Sequence, residues 1–227
     1  MKLLIHLATR CGAEEAVAAW LDELGRELAA KGEGAFASVA TLWRVAADPF
    51  GAASPWTGTL EVRCAVPDPA QLVAIAADAG RRFGDAVHAD LSTALVGRDH
   101  VFIEPGRPPV RYQYLMRRRE GFTHETYLRR YREIHSQFGF QTPAIRGYVQ
   151  CHLDPDATRE AARSAGFGVC EVDSVSELHM DSLERFMEAI AGSTIGADAM
   201  ADEEVFVDRA HSYSFCSHAT WHAPRPS

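Results

Sequence analysis

The 227-residue chain contains no apolar run near the ~18 residues of a membrane span, and its amino terminus has one lysine and a short apolar strand where a secretory leader would need a longer apolar core. It is short of disulfide chemistry too. Its five cysteines, at 11, 64, 151, 170 and 216, are odd in number and scattered, with no C-x-x-C pair. That is the usage of reduced thiols, so cytoplasm is the expected location. Cys151 and Cys170 read as small core residues on strands. Basic residues are outnumbered, 23 Lys and Arg against 31 Asp and Glu, for a formal charge of -8. A polyanion would be repelled, which excludes nucleic acid as the expected partner, and Arg117-Arg118-Arg119 reads as a solvated turn. No G-x-G-x-x-G follows a strand, and neither a phosphate-binding G-x-x-x-x-G-K-[ST] loop nor a G-x-S-x-G elbow occurs, so a nucleotide cofactor and a serine hydrolase have no support. His218 and His222 stand four apart but precede Pro224-Arg225-Pro226 with no carboxylate nearby in sequence, so no metal site is expected.

Apolar residues, at 47% of the chain with 24% charged, suffice for a packed core. Leu3 to Ala8 reads as a strand. Ala13 to Ala30 carries Val17, Trp20, Leu21, Leu24 and Leu28 at helical spacing, and Gly32 and Gly34 end the run. Phe36 to Ala46 and Thr57 to Val66 read as strands, the second with Leu60, Val62, Cys64 and Val66 alternating onto one face. A helix over Ala70 to Val87 and a strand over Thr93 to Ile103 complete the order βαββαβ.

The order then repeats. Arg111 to Arg117 is a strand, Thr123 caps a helix reaching Phe138, and Ala144 to Leu153 is a strand. A short inserted helix covers Ala157 to Ser164. Phe167 to His179 is a long strand, Ser182 to Ala191 a helix, and Val205 to Phe215 the closing strand. Two such units, 1–107 and 108–227, fit the ferredoxin-like split βαβ motif of the α+β class. Each sheet would leave one apolar face uncovered, which a soluble chain does not tolerate. The expected architecture is therefore two ferredoxin-like units packing sheet to sheet as a pseudo-dimeric α+β barrel.

Several stretches of the second unit resemble an EthD-type domain. They are Tyr114 to Arg119, Gly121 to Tyr127 and Tyr131-Arg132-Glu133-Ile134-His135, then Ile145 to His152, Asp173 to His179 with Asp181 to Glu184, and Glu204 to Arg209 as the last strand. The resemblance implies the dimeric α+β barrel superfamily, whose members include cofactor-independent cyclases, decarboxylases, muconolactone isomerases and quinone-forming monooxygenases. It makes His135 the motif histidine. His179 stands where the family pattern leads one to expect Trp, which alters an aromatic wall. The first unit shows none of these motifs and reads as a degenerate, structural repeat.

His135 shares a helix face with Leu128, Tyr131 and Phe138, so it points toward the sheet, where burial would keep its imidazole neutral. Tyr148, Gln150 and His152 alternate along one strand and project from the same face, with Ile145, Val149, Cys151 and Leu153 on the other. A phenol and two imidazoles can take a proton from carbon and hold the resulting oxyanion. The catalytic candidates are thus His135 as base, with Tyr148 and His152 at the oxyanion. Val175, Glu177 and His179 share one strand face, as do Tyr112, Tyr114 and Met116. The substrate-binding candidates are Tyr114, Tyr131, Gln150 and His179, as walls and polar anchors for a flat ring.

The leading reading is a cofactor-independent acid/base enzyme, a lyase or isomerase acting on a small hydrophobic aromatic, polyketide or ring-fission intermediate. A non-catalytic carrier for such an intermediate beside an oxygenase is the first alternative, and a cofactorless or haem-dependent oxygenase the second. The expected partner is a small aromatic ligand, neither nucleic acid nor a membrane, with no cofactor and no metal. The chain is expected as a monomer, its two units completing one barrel, or as a homodimer.

Overall fold

The computed structural model describes residues 1–31 and 36–222, so the glycines expected to stop the first helix and the Pro-Arg-Pro tail lie outside the described residues. The first half runs β1 (Lys2–Leu7), α1 (Glu14–Lys31), β2 (Phe36–Arg44), β3 (Gly58–Cys64), α2 (Pro69–Phe83) and β4 (Thr93–Ile103). The second runs β5 (Val110–Met116), α3 (His124–Arg130), a π-helical turn (Tyr131–His135), α4 (Ser136–Gln141), β6 (Gly147–Leu153), α5 (Pro155–Ala165), β7 (Ser174–Met180), α6 (Leu183–Ala191), α7 (Ile195–Phe206) and β8 (Tyr213–Trp221). Helix starts follow local chemistry. Asp68 and Asp154 each accept a hydrogen bond from the backbone two or three residues on and are followed by Pro69 and Pro155, which lose nothing at a first turn; Thr123 and Ser182 cap α3 and α6 in the same way.

The eight strands form one closed barrel in the order β1-β3-β2-β8-β5-β7-β6-β4, with every pair antiparallel. Each half contributes four neighbouring strands, and the two sheets join edge to edge through β2–β8 and β4–β6. The chain is an α+β barrel of ferredoxin-like halves, and closure leaves neither sheet a free edge.

Alternation decides what lies inside. In the first half Leu3, Ile5, Leu60 and Val62 face outward under α1 and α2, where they pack with Val17, Leu21, Leu72 and Phe83 in a filled core. The opposite faces meet within the barrel, where one zone is apolar, with Leu4, Leu95, Leu115, Cys151, Val175 and Phe215 around Trp56. The other zone is charged. Lys2 donates to Glu177 at 2.7 Å and lies 3.0 Å from Asp99, Arg63 lies 2.9 Å from Asp99, and Arg111 pairs with Glu61. Three cations face three carboxylates, and the pairs Lys2–Glu177 and Arg111–Glu61 each join the two halves.

Two strands differ from the sequence reading. Val205 and Phe206 end helix α7, and the closing strand is Tyr213–Trp221, so the expected strand from Val205 to Phe215 is corrected. Of the expected strand from Phe167 to His179, only Ser174 onward is extended pairing. Its first part leaves the sheet because Gly166 ends α5 in the left-handed region and Phe167 turns into the core under the first half's helices.

Candidate active site

The outer face of β5, β6 and β7 is only partly covered by its helices, and the space left is a cleft of about 400 Å³. Tyr112, Tyr114 and Met116 of β5, Tyr148 of β6, and Ser176 and Leu178 of β7 form its floor; His135, Phe138, Phe186, Met200 and Glu203 come from the helices. The corresponding face of the first half is filled by Leu, Val and Ile side chains. A shallower groove of about 720 Å³ near Val45, Pro109 and Leu183 is more open, and His218 is its one imidazole. The cleft is the better candidate because buried acid–base groups converge there.

His135 ends the π-helical turn, which departs from the continuous α-helix expected from the spacing. Its Nδ1 lies 2.9 Å from Asp202 Oδ2 on α7, and Asp202 also receives the guanidinium of Arg130. An acceptor already engaged by Arg130 fixes Nδ1 as the protonated nitrogen and leaves the Nε2 lone pair free. Burial lowers the pKa of His135, and the hydrogen bond to Asp202 opposes that only in part, so the imidazole is neutral at pH 7. Glu203 Oε1 stands 3.8 Å from Nε2. Burial pushes the Glu203 carboxyl up to about 7, Arg209 pulling the other way.

The remaining sequence candidates divide between this cleft and other layers. Tyr114 and Tyr148 line it, and burial raises both phenols, Tyr148 to about 12. Tyr131 is fully buried beneath His135, with ring centroids 5.7 Å apart. Gln150 lies behind Tyr148 and donates to its hydroxyl at 2.6 Å. His152 is one step further away, 3.2 Å from Gln150 Oε1 and 4.1 Å between ring centroids from His100. His179 is elsewhere, inside the barrel 3.4 Å from Glu177, where burial lowers its pKa to about 4. The structure thus brings His135, Tyr148 and Tyr114 to one cavity and keeps His152, Gln150, Tyr131 and His179 off its surface. Sequence reasoning missed Asp202 and Glu203, because it assigned their segment no helix.

Among the described residues no group of three or more His, Cys, Asp or Glu side chains is arranged to hold a metal ion.

Residues 119–210 match the family model of the EthD domain. The second half of the chain carries an EthD domain. Its span holds His135, Tyr148, Asp202 and Glu203, whereas Tyr112 and Tyr114 come from the strand before it. Solved structures align along nearly the whole chain. An anthrone oxidase-like protein matches with a TM-score of 0.61 at 11% identity, covering 100% of this chain and 94% of that one. A candidate monooxygenase from Lactobacillus acidophilus NCFM gives 0.54 at 7% identity, covering 99% and 95%. A candidate chlorite dismutase gives 0.53 at 8%, covering 96% and 94%. At these identities the likeness establishes the fold that the EthD domain completes. No curated protein matches the sequence.

Proposed function

We propose that the cleft binds a small aromatic or polyketide-like carbon acid and that His135 removes a proton from its carbon without a cofactor. The observation that carries this reading is the His135–Asp202 pair in an aromatic cleft, with Nδ1 engaged and Nε2 free beside Glu203. The Nε2 lone pair takes the proton, and the C–H electron pair moves into the adjoining ring or carbonyl to give an enolate or phenolate. Asp202 stabilises the imidazolium that results. Glu203, whose carboxyl titrates near 7, then supplies a proton to a leaving hydroxyl or to the rearranged carbon. Loss of water, ring closure and isomerisation share this first step.

The solved neighbours named as an anthrone oxidase-like protein and a candidate monooxygenase support a second reading of the later step. There the same carbanion reacts with dioxygen, so the chain would be an oxygenase with the same base.

Anthrone, a ketone with an acidic ring carbon, tests the shared step. In deuterated buffer without oxygen the wild-type protein is expected to accelerate exchange at C10, and His135→Ala to fall to the buffer rate. Equal acceleration by both would overturn the assignment, and tight binding with no exchange in either would favour the carrier. Oxygen uptake with the same compound separates the two later steps.

A further inference from the structure

The orientation of one buried amide limits what the cleft accepts. The main-chain carbonyl of Tyr131 can only accept a hydrogen bond, and Gln150 meets it with a side-chain nitrogen at 3.1 Å. That fixes Nε2 of Gln150 on the Tyr131 and Tyr148 side and Oε1 on the side of His152. The carboxamide oxygen then accepts from His152 Nε2 at 3.2 Å, which requires the Nε2–H form of that ring. Burial supplies the remaining condition, because it lowers the pKa of His152 to about 3, helped by the charges of His100, Arg132 and His124, and keeps the ring neutral. The same amide nitrogen donates to the Tyr148 hydroxyl at 2.6 Å, so the oxygen of Tyr148 is already an acceptor toward Gln150.

A hydroxyl that accepts from one side directs its proton to another. Tyr148 is buried and lines the cleft. The hydroxyl of Tyr131 forms no hydrogen bond with it. With the amide N–H of Gln150 on one side of the Tyr148 oxygen, its O–H turns away from Gln150, toward the cleft that Tyr148 lines.

We infer that Gln150 locks Tyr148 as a hydrogen-bond donor toward the cleft, so that the ligand must present an acceptor oxygen, a carbonyl or a phenolate, at that point. Gln150 is then a positioning residue and Tyr148 the group that touches substrate. This rests on the cleft being the ligand site and names the class of ligand it takes. An enolate formed by His135 would gather its charge on such an oxygen, where a fixed donor is most effective.

Two bicyclic compounds of similar size and opposite polarity provide the test. 1-Indanone presents a carbonyl acceptor and indole an N–H donor. The wild-type chain is expected to bind 1-indanone about tenfold more tightly than indole, the size of one well-made hydrogen bond. Tyr148→Phe should abolish that preference. Gln150→Leu, which frees the Tyr148 oxygen to accept, should narrow it chiefly by improving indole binding, a change that a merely structural role for Gln150 would not produce. The infrared carbonyl band of bound 1-indanone should move to lower frequency in the wild type and return in Tyr148→Phe. His152→Asn, nearer the surface, guards against a misfolded Gln150 variant and should leave the preference in place, because Tyr131 still orients the amide. A preference that survives Gln150→Leu unchanged, or is absent from the wild type, would overturn the inference while leaving the cleft as a binding site. Failure of both compounds to bind would overturn the cleft reading and this inference with it.

Discussion

Asp202 holds Nδ1 of His135 at 2.9 Å from a helix inserted between α6 and the last strand, so base and orienting group come from separate elements that meet only in the folded cleft. Asp202→Asn keeps the size of the side chain and removes its charge. With that carboxylate gone, burial and the charge of Arg130 act on His135 unopposed and its pKa falls further. Exchange at C10 of anthrone is expected to slow by about 10²-fold, within the range for general-base catalysis. The acidic limb of its pH–rate profile should move to lower pH. An unchanged limb would show that Asp202 does not act on His135.

Glu203 makes stability depend on pH. Its carboxyl titrates near 7 when folded, from an ordinary value of 4.5, because burial penalises the charged form. Between those values the folded chain binds more protons than the unfolded one, so the contribution is complete below about 4.5 and is lost as pH rises through about 7. Glu203→Gln cannot ionise. It should match wild type near pH 4.5 and exceed it at pH 8 by up to about 3 kcal/mol. Thermal or urea unfolding at the two pH values checks this, and a gap independent of pH would contradict it.

The charged zone of the barrel joins the halves. Burial lowers the pKa of Lys2, but Asp99, Glu177 and Glu61 more than reverse that, so the ammonium stays charged. Lys2→Met leaves buried carboxylates without their partner, at a cost of about 3–5 kcal/mol. Lys2→Met combined with Glu177→Gln should recover part of the loss, since each removes the other's uncompensated charge. Urea midpoints of the single and double variants decide it, and a single-variant loss below about 1 kcal/mol would place the network outside the stability of the fold.

Gly139 lets α4 lie directly on the ring of Tyr148, because a methyl group built there would fall well inside contact distance of that ring. Gly139→Ala must therefore displace Tyr148 or the helix. Binding of 1-indanone is expected to weaken at least about tenfold with a loss of about 1–3 kcal/mol in stability. Unchanged binding would show that the position of Tyr148 is immaterial to the ligand.

How much was legible follows from which signals are local. Alternation along Leu60, Val62 and Cys64 and along Tyr148, Gln150 and His152 is a backbone property, and it gave the strands, their faces and the βαββαβ repeat. The placement of Val175, Glu177 and His179 together on one face was legible too, but which face lies inside the barrel depends on closure with the other half. Helix α7 was not legible. Ala199-Met200-Ala201-Asp202-Glu203-Glu204 has no sustained apolar stripe, and Val205-Phe206-Val207 between acidic residues imitates a strand. Asp202 and Glu203 were lost with it. The run of Ala, Met and Glu, all strong helix formers, was the signal that could have found them.

The central claim is that His135 Nε2 faces the reacting carbon, and a crystal structure of the protein soaked with 1-indanone addresses it most directly. The ring is expected in the cleft, its carbonyl oxygen on the Tyr148 hydroxyl and the carbon next to that carbonyl within about 3.5 Å of Nε2. A ring seated in the shallow groove near Leu183, or lying in the cleft with that carbon turned away from His135, would contradict it.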